Sequence, residues 1–209
     1  MVMVDLLPRR FHSASLDDFT ASRITPALRF VERITRLPAD APGRRHIVGQ
    51  GWVADGTMER NLRGQHGLVI VGPTGVGKTH LLAAVANALA PECWLFRSAL
   101  TIVDEARESV ASAGVSRLFP YHTASNVLLL DDISGVRPTD YALDTIARII
   151  RVRYDEMLPT VVTMHSSRTA IADLYGAAIA SRLLELGPVL KLEGPDRRSH
   201  QPTTDKEKP

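Results

Sequence analysis

The sequence predicts an α/β fold: a three-layer αβα sandwich around a mostly parallel, five-stranded sheet. Three observations carry this expectation. Four short, largely apolar runs, LVIV (68–71), WLFRS (94–98), VLLLDD (127–132) and TVVTM (160–164), read as strands buried on both faces. Segments with helical apolar spacing separate them and are long enough to cross over between parallel strands. A glycine-rich turn follows the first run directly and opens a strong helix former, KTHLLAAVANALA.

Taken in order, MVMVDLLPRR carries Asp5 and Pro8 after a very short apolar run and does not read as a leader. TPALRFVERITRL reads as a helix over about 26–37, with Thr25 as N-cap, Pro26 in the first turn and Leu28, Val31 and Ile34 on its apolar side. Pro38 to Gly43 break it. Residues 44–63, with several glycines and Trp52, read as a loop with a short helix. LTIVDEARESVASA reads as a helix with Leu100, Val103, Ala106 and Val110 on one side, closed by Gly114. DYALDTIARIIRVRYDEML reads as a long helix with Tyr141, Ile146, Ile149 or Ile150, and Met157 inward. IADLYGAAIASRLLEL reads as a helical segment and PVLKLE (188–193) as the fifth strand. The expected organisation is an N-terminal extension over 1–63, one core domain over 64–198, and a disordered polar tail over 199–209.

Composition sets limits. A chain of 209 residues with 44% hydrophobic residues fits a single core. A net charge of +2 permits a nucleic-acid partner without demanding one. Arg9-Arg10 and Arg44-Arg45 are the obvious basic clusters, and solvated surface arginines explain both. One cysteine, Cys93, excludes an internal disulfide and a cysteine zinc site, and fits a reduced setting. The longest small-apolar run, 81–90, is too short to span a bilayer. The expectation is a cytoplasmic protein with no membrane partner.

The chemistry lies in VGPTGVGKTH. Gly72, Gly75, Gly77, Lys78 and Thr79 fit G-x-x-x-x-G-K-[ST], with the strand before and the helix after that this pattern requires. Glycines let the backbone curl so that several N–H groups converge on phosphate oxygens, and the helix N-terminus adds partial positive charge. Gly72, Pro73, Thr74, Gly75, Val76, Gly77, Lys78, Thr79 and His80 are therefore the candidate ATP contacts. Lys78 is assigned to the β and γ phosphates, and the Thr79 hydroxyl to Mg²⁺. Asp131 and Asp132 end a buried strand that a parallel sheet brings to the same edge as the loop. One carboxylate there holds Mg²⁺, and a second orients or deprotonates the attacking water.

Beyond the loop, LPRRFHSASLDDF, GPTGVGKTHLLAAVANAL, VLLLDDISG, RYDEMLPTVVTMHSS and IASRLLELGPVLKLEGPDRR resemble the AAA+ ATPases of the DnaC type, the replicative helicase loaders, and their IstB-type transposition-helper relatives. The resemblance spans about residues 7–198. It implies a P-loop NTPase with an AAA+ core and no helical lid. It makes Asp131 the Mg²⁺-side acid and Asp132 the water-activating acid. It places His165, with Ser166 and Ser167 following, where family members usually carry an asparagine sensor. Arg182 falls at the arginine-finger position that reaches a neighbouring subunit, and Arg197 or Arg198 at a place to sense nucleotide in cis. Arg153 and Tyr154 also match the family pattern, with Tyr154 read as core. The implied partners are a replicative helicase or a transposase, single-stranded DNA, and further copies of the chain in a nucleotide-dependent homo-oligomer. Full-length loaders carry a separate helicase-binding domain, and only about sixty residues precede the loop here. The expectation is an ATPase module whose partner-binding part is missing, reduced or supplied elsewhere. A small-molecule kinase and a nucleotide-binding module without turnover are the competing classes. The paired aspartates and the GPDRR segment argue against the kinase.

Overall fold

The computed structural model describes residues 7–35, 44–47, 51–54, 66–89, 94–113, 127–165 and 168–200. The break at Pro38 to Gly43, Cys93, Gly114, Ser166, Ser167, the tail beyond 200, and the side chains of Arg44, Arg45, Trp52 and Val110 lie outside the described residues. Three short 3₁₀ turns (Arg9–Phe11, Leu16–Asp18, Ala21–Arg23) lead into helix α1, Thr25–Thr35. Thr25 is the first helical residue rather than the cap. The first backbone bonds, from the N–H groups of Ala27 and Leu28, land on the carbonyl of Ile24, and the Thr25 hydroxyl donates back to Ala21. Strands β1 (Arg44–Ile47) and β2 (Gly51–Ala54) pair as an antiparallel hairpin where a loop with a short helix was expected. Ile47, Trp52 and Val53 are strand-favouring residue types, and no helical apolar period competes with them.

The main sheet has five parallel strands: β3 (Gly67–Val71), β4 (Trp94–Ser98), β5 (Val127–Asp131), β6 (Thr160–Met164) and β7 (Val189–Lys191). Their spatial order is β4-β5-β6-β3-β7, so β6 separates the strand before the glycine loop from the strand bearing the aspartates. Helices α2 (Lys78–Asn87), α3 (Ala99–Ala113), α4 (Asp140–Asp155), α5 (Arg168–Tyr175) and α6 (Ala177–Leu186) supply the crossovers and the outer layers. Alternation along the strands sorts the core into two faces. Leu68, Ile70, Leu129 and Val161 pack with α1 and α2 through Ala27, Phe30, Ile34, Leu81 and Leu82. Val69, Leu128, Leu130 and Val162 pack with α3, α4 and α6 through Ile102, Ile146, Ile150 and Leu183. The three-layer αβα expectation holds. The segment over 7–35 shares the first of these cores with β3 and α2.

Some inward assignments do not hold. Leu100 is 55% exposed, because α3 buries Ala99, Ile102 and Val103 instead. Tyr141 is 42% exposed in the first turn of α4, whose buried stripe runs Ala142, Ile146, Ile149, Ile150 and Arg153. Met157 lies beyond the end of α4 at φ 51° and is half-buried. The last helical segment is divided at Gly176, φ 84°, into α5 and α6. Among the described residues, no helix is long and apolar enough to cross a membrane.

Candidate nucleotide site

The loop between β3 and α2 turns on two left-handed residues, Gly75 at φ 77° and Gly77 at φ 104°. L side chains rarely adopt such angles, so glycine is required for the curl. At Gly75 a Cβ would also come within 1.9 Å of the Asp196 carboxylate. Val76 points down into the core, 4% exposed, and anchors the loop between the two glycines. Lys78, the first residue of α2, is 9% exposed, and its Nζ donates to the carbonyls of Gly72 and Pro73 at 2.8 Å each. Burial pulls the pKa of its ammonium down, opposed by Asp132 and Asp131 and reinforced by Arg198.

The Thr79 hydroxyl donates to the Asp131 carboxylate, 3.0 Å from Oδ2. The Thr163 hydroxyl, on the intervening strand β6, donates to Asp131 Oδ1 at 2.6 Å and accepts from the Asp132 N–H at 2.8 Å. Burial pushes the Asp131 carboxyl up from its ordinary value, Thr163 and Thr79 oppose this, and Asp132 adds to it. A desolvated carboxylate that, among the described residues, accepts from two threonine hydroxyls has the donor chemistry of an oxygen-ligated Mg²⁺ site completed by water and phosphate oxygens. Asp132 sits in a left-handed conformation, φ 53°. Its Oδ1 accepts from Ser134 at 3.3 Å and lies 3.4 Å from His165 Nε2, while the His165 N–H donates to Ser134 at 2.9 Å. Tyr175 braces the same turn by donating to the Ile133 carbonyl at 2.6 Å.

These groups line one cleft of about 810 Å³, with Thr74, Gly75, Gly77, Lys78, Thr79, Asp131, Asp132, Thr163 and His165 joined by Arg10, Phe11, Arg197 and Arg198. His80 lines it too, but its imidazole is committed elsewhere. It lies 2.6 Å from Asp18 and packs against the rings of Phe11 and Phe19. Arg182 lies outside the cleft, over the Tyr154 ring at 5.6 Å, with one nitrogen donating to the Ala178 carbonyl. Tyr154, read as core, is half-buried and donates to Glu185. Arg153 is fully buried at the opposite end of the strands, donating from Nε to the Thr160 hydroxyl at 2.8 Å and from a terminal nitrogen to the Pro159 carbonyl at 2.7 Å.

Sequence reasoning passed over Thr163, Ser134, Asp18 and Phe11, and read Arg10 only as part of a solvated basic pair. A second polar residue one short of the end of TVVTM was the signal for Thr163. Asp18 and Phe11 carried no local signal, because only the folding of the N-terminal segment over α2 brings them to the site.

No protein-family model matches the chain. It is 28% identical over 147 residues to the replicative helicase loader DnaI of Bacillus subtilis, a match over 63% of this chain and 47% of that protein. The chain thus spans about half the length of the curated relative it matches. Among solved structures, it superposes on the DnaC helicase loader with a TM-score of 0.65 at 21% identity, over 89% of this chain and 100% of that one. It superposes on DnaI with a TM-score of 0.62 at 27% identity, over 92% of this chain and 95% of that one. The AMPPCP-bound DnaA of Aquifex aeolicus gives 0.63 at 18% identity, over 90% of this chain and 52% of that one. With its strand order and its glycine loop, the chain has the fold of the AAA+ P-loop NTPases, similar to the DnaC and DnaI structures.

Proposed function

We propose that the chain binds and hydrolyses ATP with Mg²⁺, and uses the cycle to act on a replicative helicase at DNA. The observation that carries this reading is the 3.0 Å contact between Thr79 and Asp131, which joins the glycine loop to a second strand across the intervening β6. The loop N–H groups and Lys78 bind the phosphates, with Gly72, Pro73, Thr74, Gly75, Val76 and Gly77 shaping the cradle. Thr79 and Asp131 hold Mg²⁺, which when bound neutralises phosphate charge. Asp132 orients the attacking water and takes its proton, and Ser134 and His165 fix the direction of its carboxylate. His165 stands at the end of β6, facing the cleft, in the sensor position. Arg182 serves another copy's site, because its side chain does not reach the cleft of its own chain.

The names of the similar proteins support the partner side of this reading. DnaI and DnaC are helicase loaders, and one DnaA neighbour is bound to AMPPCP and single-stranded DNA. The proposed partners are a helicase, single-stranded DNA and further copies of the chain, in the cytoplasm. Phosphate release with and without single-stranded DNA and the helicase tests the proposal. Turnover should rise on assembly, and Arg182→Ala should leave ATP binding intact and lower only the assembled rate. ATP binding with no phosphate released under any of these conditions would remove the enzyme reading, and an equal loss in the monomer would remove the action in trans.

A further inference from the structure

Asp132 holds a backbone conformation that residues other than glycine rarely adopt, φ 53°. Such a conformation persists only where the surroundings over-determine it. Here the Asp132 N–H donates to the Thr163 hydroxyl at 2.8 Å, and the Ile133 N–H to the Thr163 carbonyl at 3.1 Å. The Gly135 N–H donates back to the Asp132 carbonyl at 3.1 Å and closes the turn. A Cβ at Gly135 would come within 2.4 Å of the Asp132 carboxylate, so glycine leaves the room that the carboxylate fills. These contacts come from β6 or from the turn itself. A further bond reaches the turn from a helix. The hydroxyl of Tyr175, the last residue of α5, donates to the Ile133 carbonyl at 2.6 Å.

The Tyr175 ring is half-buried against the core that α3, α4 and α6 share with the sheet. Gly176, at φ 84°, ends α5 directly after it, so the phenol can face the turn while α6 sets off anew. Tyr175 is not among the residues that line the cleft. Its partner carbonyl belongs to the peptide between Ile133, which is fully buried, and Ser134. The Ser134 hydroxyl is the group that donates to Asp132 Oδ1 at 3.3 Å and accepts from the His165 N–H at 2.9 Å. Burial raises the pKa of the phenol and the Asp132 charge adds to this, so the hydroxyl keeps its proton and stays a donor. Without that donor a buried carbonyl loses its partner, and the peptide that sets Ser134 is released to rotate.

Resting on the reading of Asp132 as the water-activating acid, we propose that Tyr175 is a positioning residue for the hydrolytic step: its hydroxyl fixes the Ile133–Ser134 peptide and, through Ser134, the direction of the Asp132 carboxylate. The phosphate-binding groups are held independently. Lys78 is fixed by the carbonyls of Gly72 and Pro73, and Asp131 by Thr79 and Thr163. Tyr175 therefore acts on turnover and leaves nucleotide binding alone.

The test measures Mg-ATP affinity and single-turnover phosphate release of the full chain, with single-stranded DNA and the helicase present. The variants are Tyr175→Phe, Asp132→Asn and the two combined. Tyr175→Phe keeps the ring and its packing, and its thermal midpoint should match the parent's. It should lower phosphate release by about tenfold and leave ATP affinity within about twofold. In the Asp132→Asn background the same change should cost less than about twofold, because both act through one carboxylate. A Tyr175→Phe rate equal to the parent's overturns the proposal while leaving the assignment of Asp132 intact. An equal factor lost in both backgrounds, or a loss of affinity as large as the loss of rate, overturns it as well. A parent chain that binds ATP and releases no phosphate overturns the reading of Asp132 and this inference together.

Discussion

The two ends of the parallel sheet both hold charged groups taken out of water, and they treat them oppositely. At the N-terminal end, Arg153 is 0% exposed, and its donors meet the Thr160 hydroxyl and the Pro159 carbonyl where β6 begins. Burial pulls its pKa down to about 9, which still leaves it charged at neutral pH. At the C-terminal end, Lys78 and Asp131 are also desolvated, but they face a cleft of about 810 Å³. Their neighbours are the loop's own carbonyls and two hydroxyls. A sealed, satisfied charge holds a fold together. A desolvated charge facing a cavity is kept for a ligand.

That contrast can be broken at either end. The largest effect is expected from Lys78→Ala, which should lower nucleotide affinity by roughly a hundredfold or more with little change in thermal midpoint. Retained affinity by titration would show that the cleft charge is structural after all. At the other end, Arg153→Ala should lose on the order of 3 kcal/mol of stability, because it leaves a void and two partners without a donor. Denaturant unfolding measures this, and nucleotide affinity of the folded fraction should stay within about twofold. Asp132→Asn should keep nucleotide binding within a few-fold and lower phosphate release by about a hundredfold, since the amide cannot take the water's proton.

The smallest effect sharpens the contrast at the sealed end. His66 is 3% exposed, with no hydrogen-bond partner for either ring nitrogen among the described residues, and burial, reinforced by Arg153, holds its pKa below the ordinary 6.5. The unfolded chain therefore takes up the proton first as pH falls. The stability tied to neutral His66 is whole above pH 6.5 and declines below it, until the folded-state value is passed. Denaturation midpoints at pH 7.5 and 5.5 should differ more for the parent than for His66→Phe. Equal differences would mean that the ring finds a partner on protonation.

The cleft end was readable because its signals are local. VGPTGVGKTH states a strand, a turn needing glycine and a helix within a dozen residues, and VLLLDD states a buried strand with carboxylates at its end. Parallel packing then dictates that the two meet. The sealed end was less readable. Arg153 falls on the apolar stripe of α4, where a charged side chain contradicts the pattern, and its hydrogen-bond partners, Pro159 and Thr160, come from the start of β6. Leu100 and Tyr141 were misassigned for the opposite reason: each is an apolar residue in a first helical turn, where the register of the buried stripe is not yet fixed. His80 follows the loop motif in sequence, yet its imidazole answers to Asp18, sixty-two residues earlier. No local pattern reports such a partner.

Backbone amide shifts on titration with Mg-ATP test the central claim most directly, because both ends of the sheet are read at once. The amides of Gly75, Gly77, Lys78, Thr79 and Asp132 should move together and saturate, while those of His66, Arg153 and Thr160 stay in place. Saturable shifts centred on His66 and Arg153, or no shifts around the glycine loop at millimolar ATP, would contradict the account.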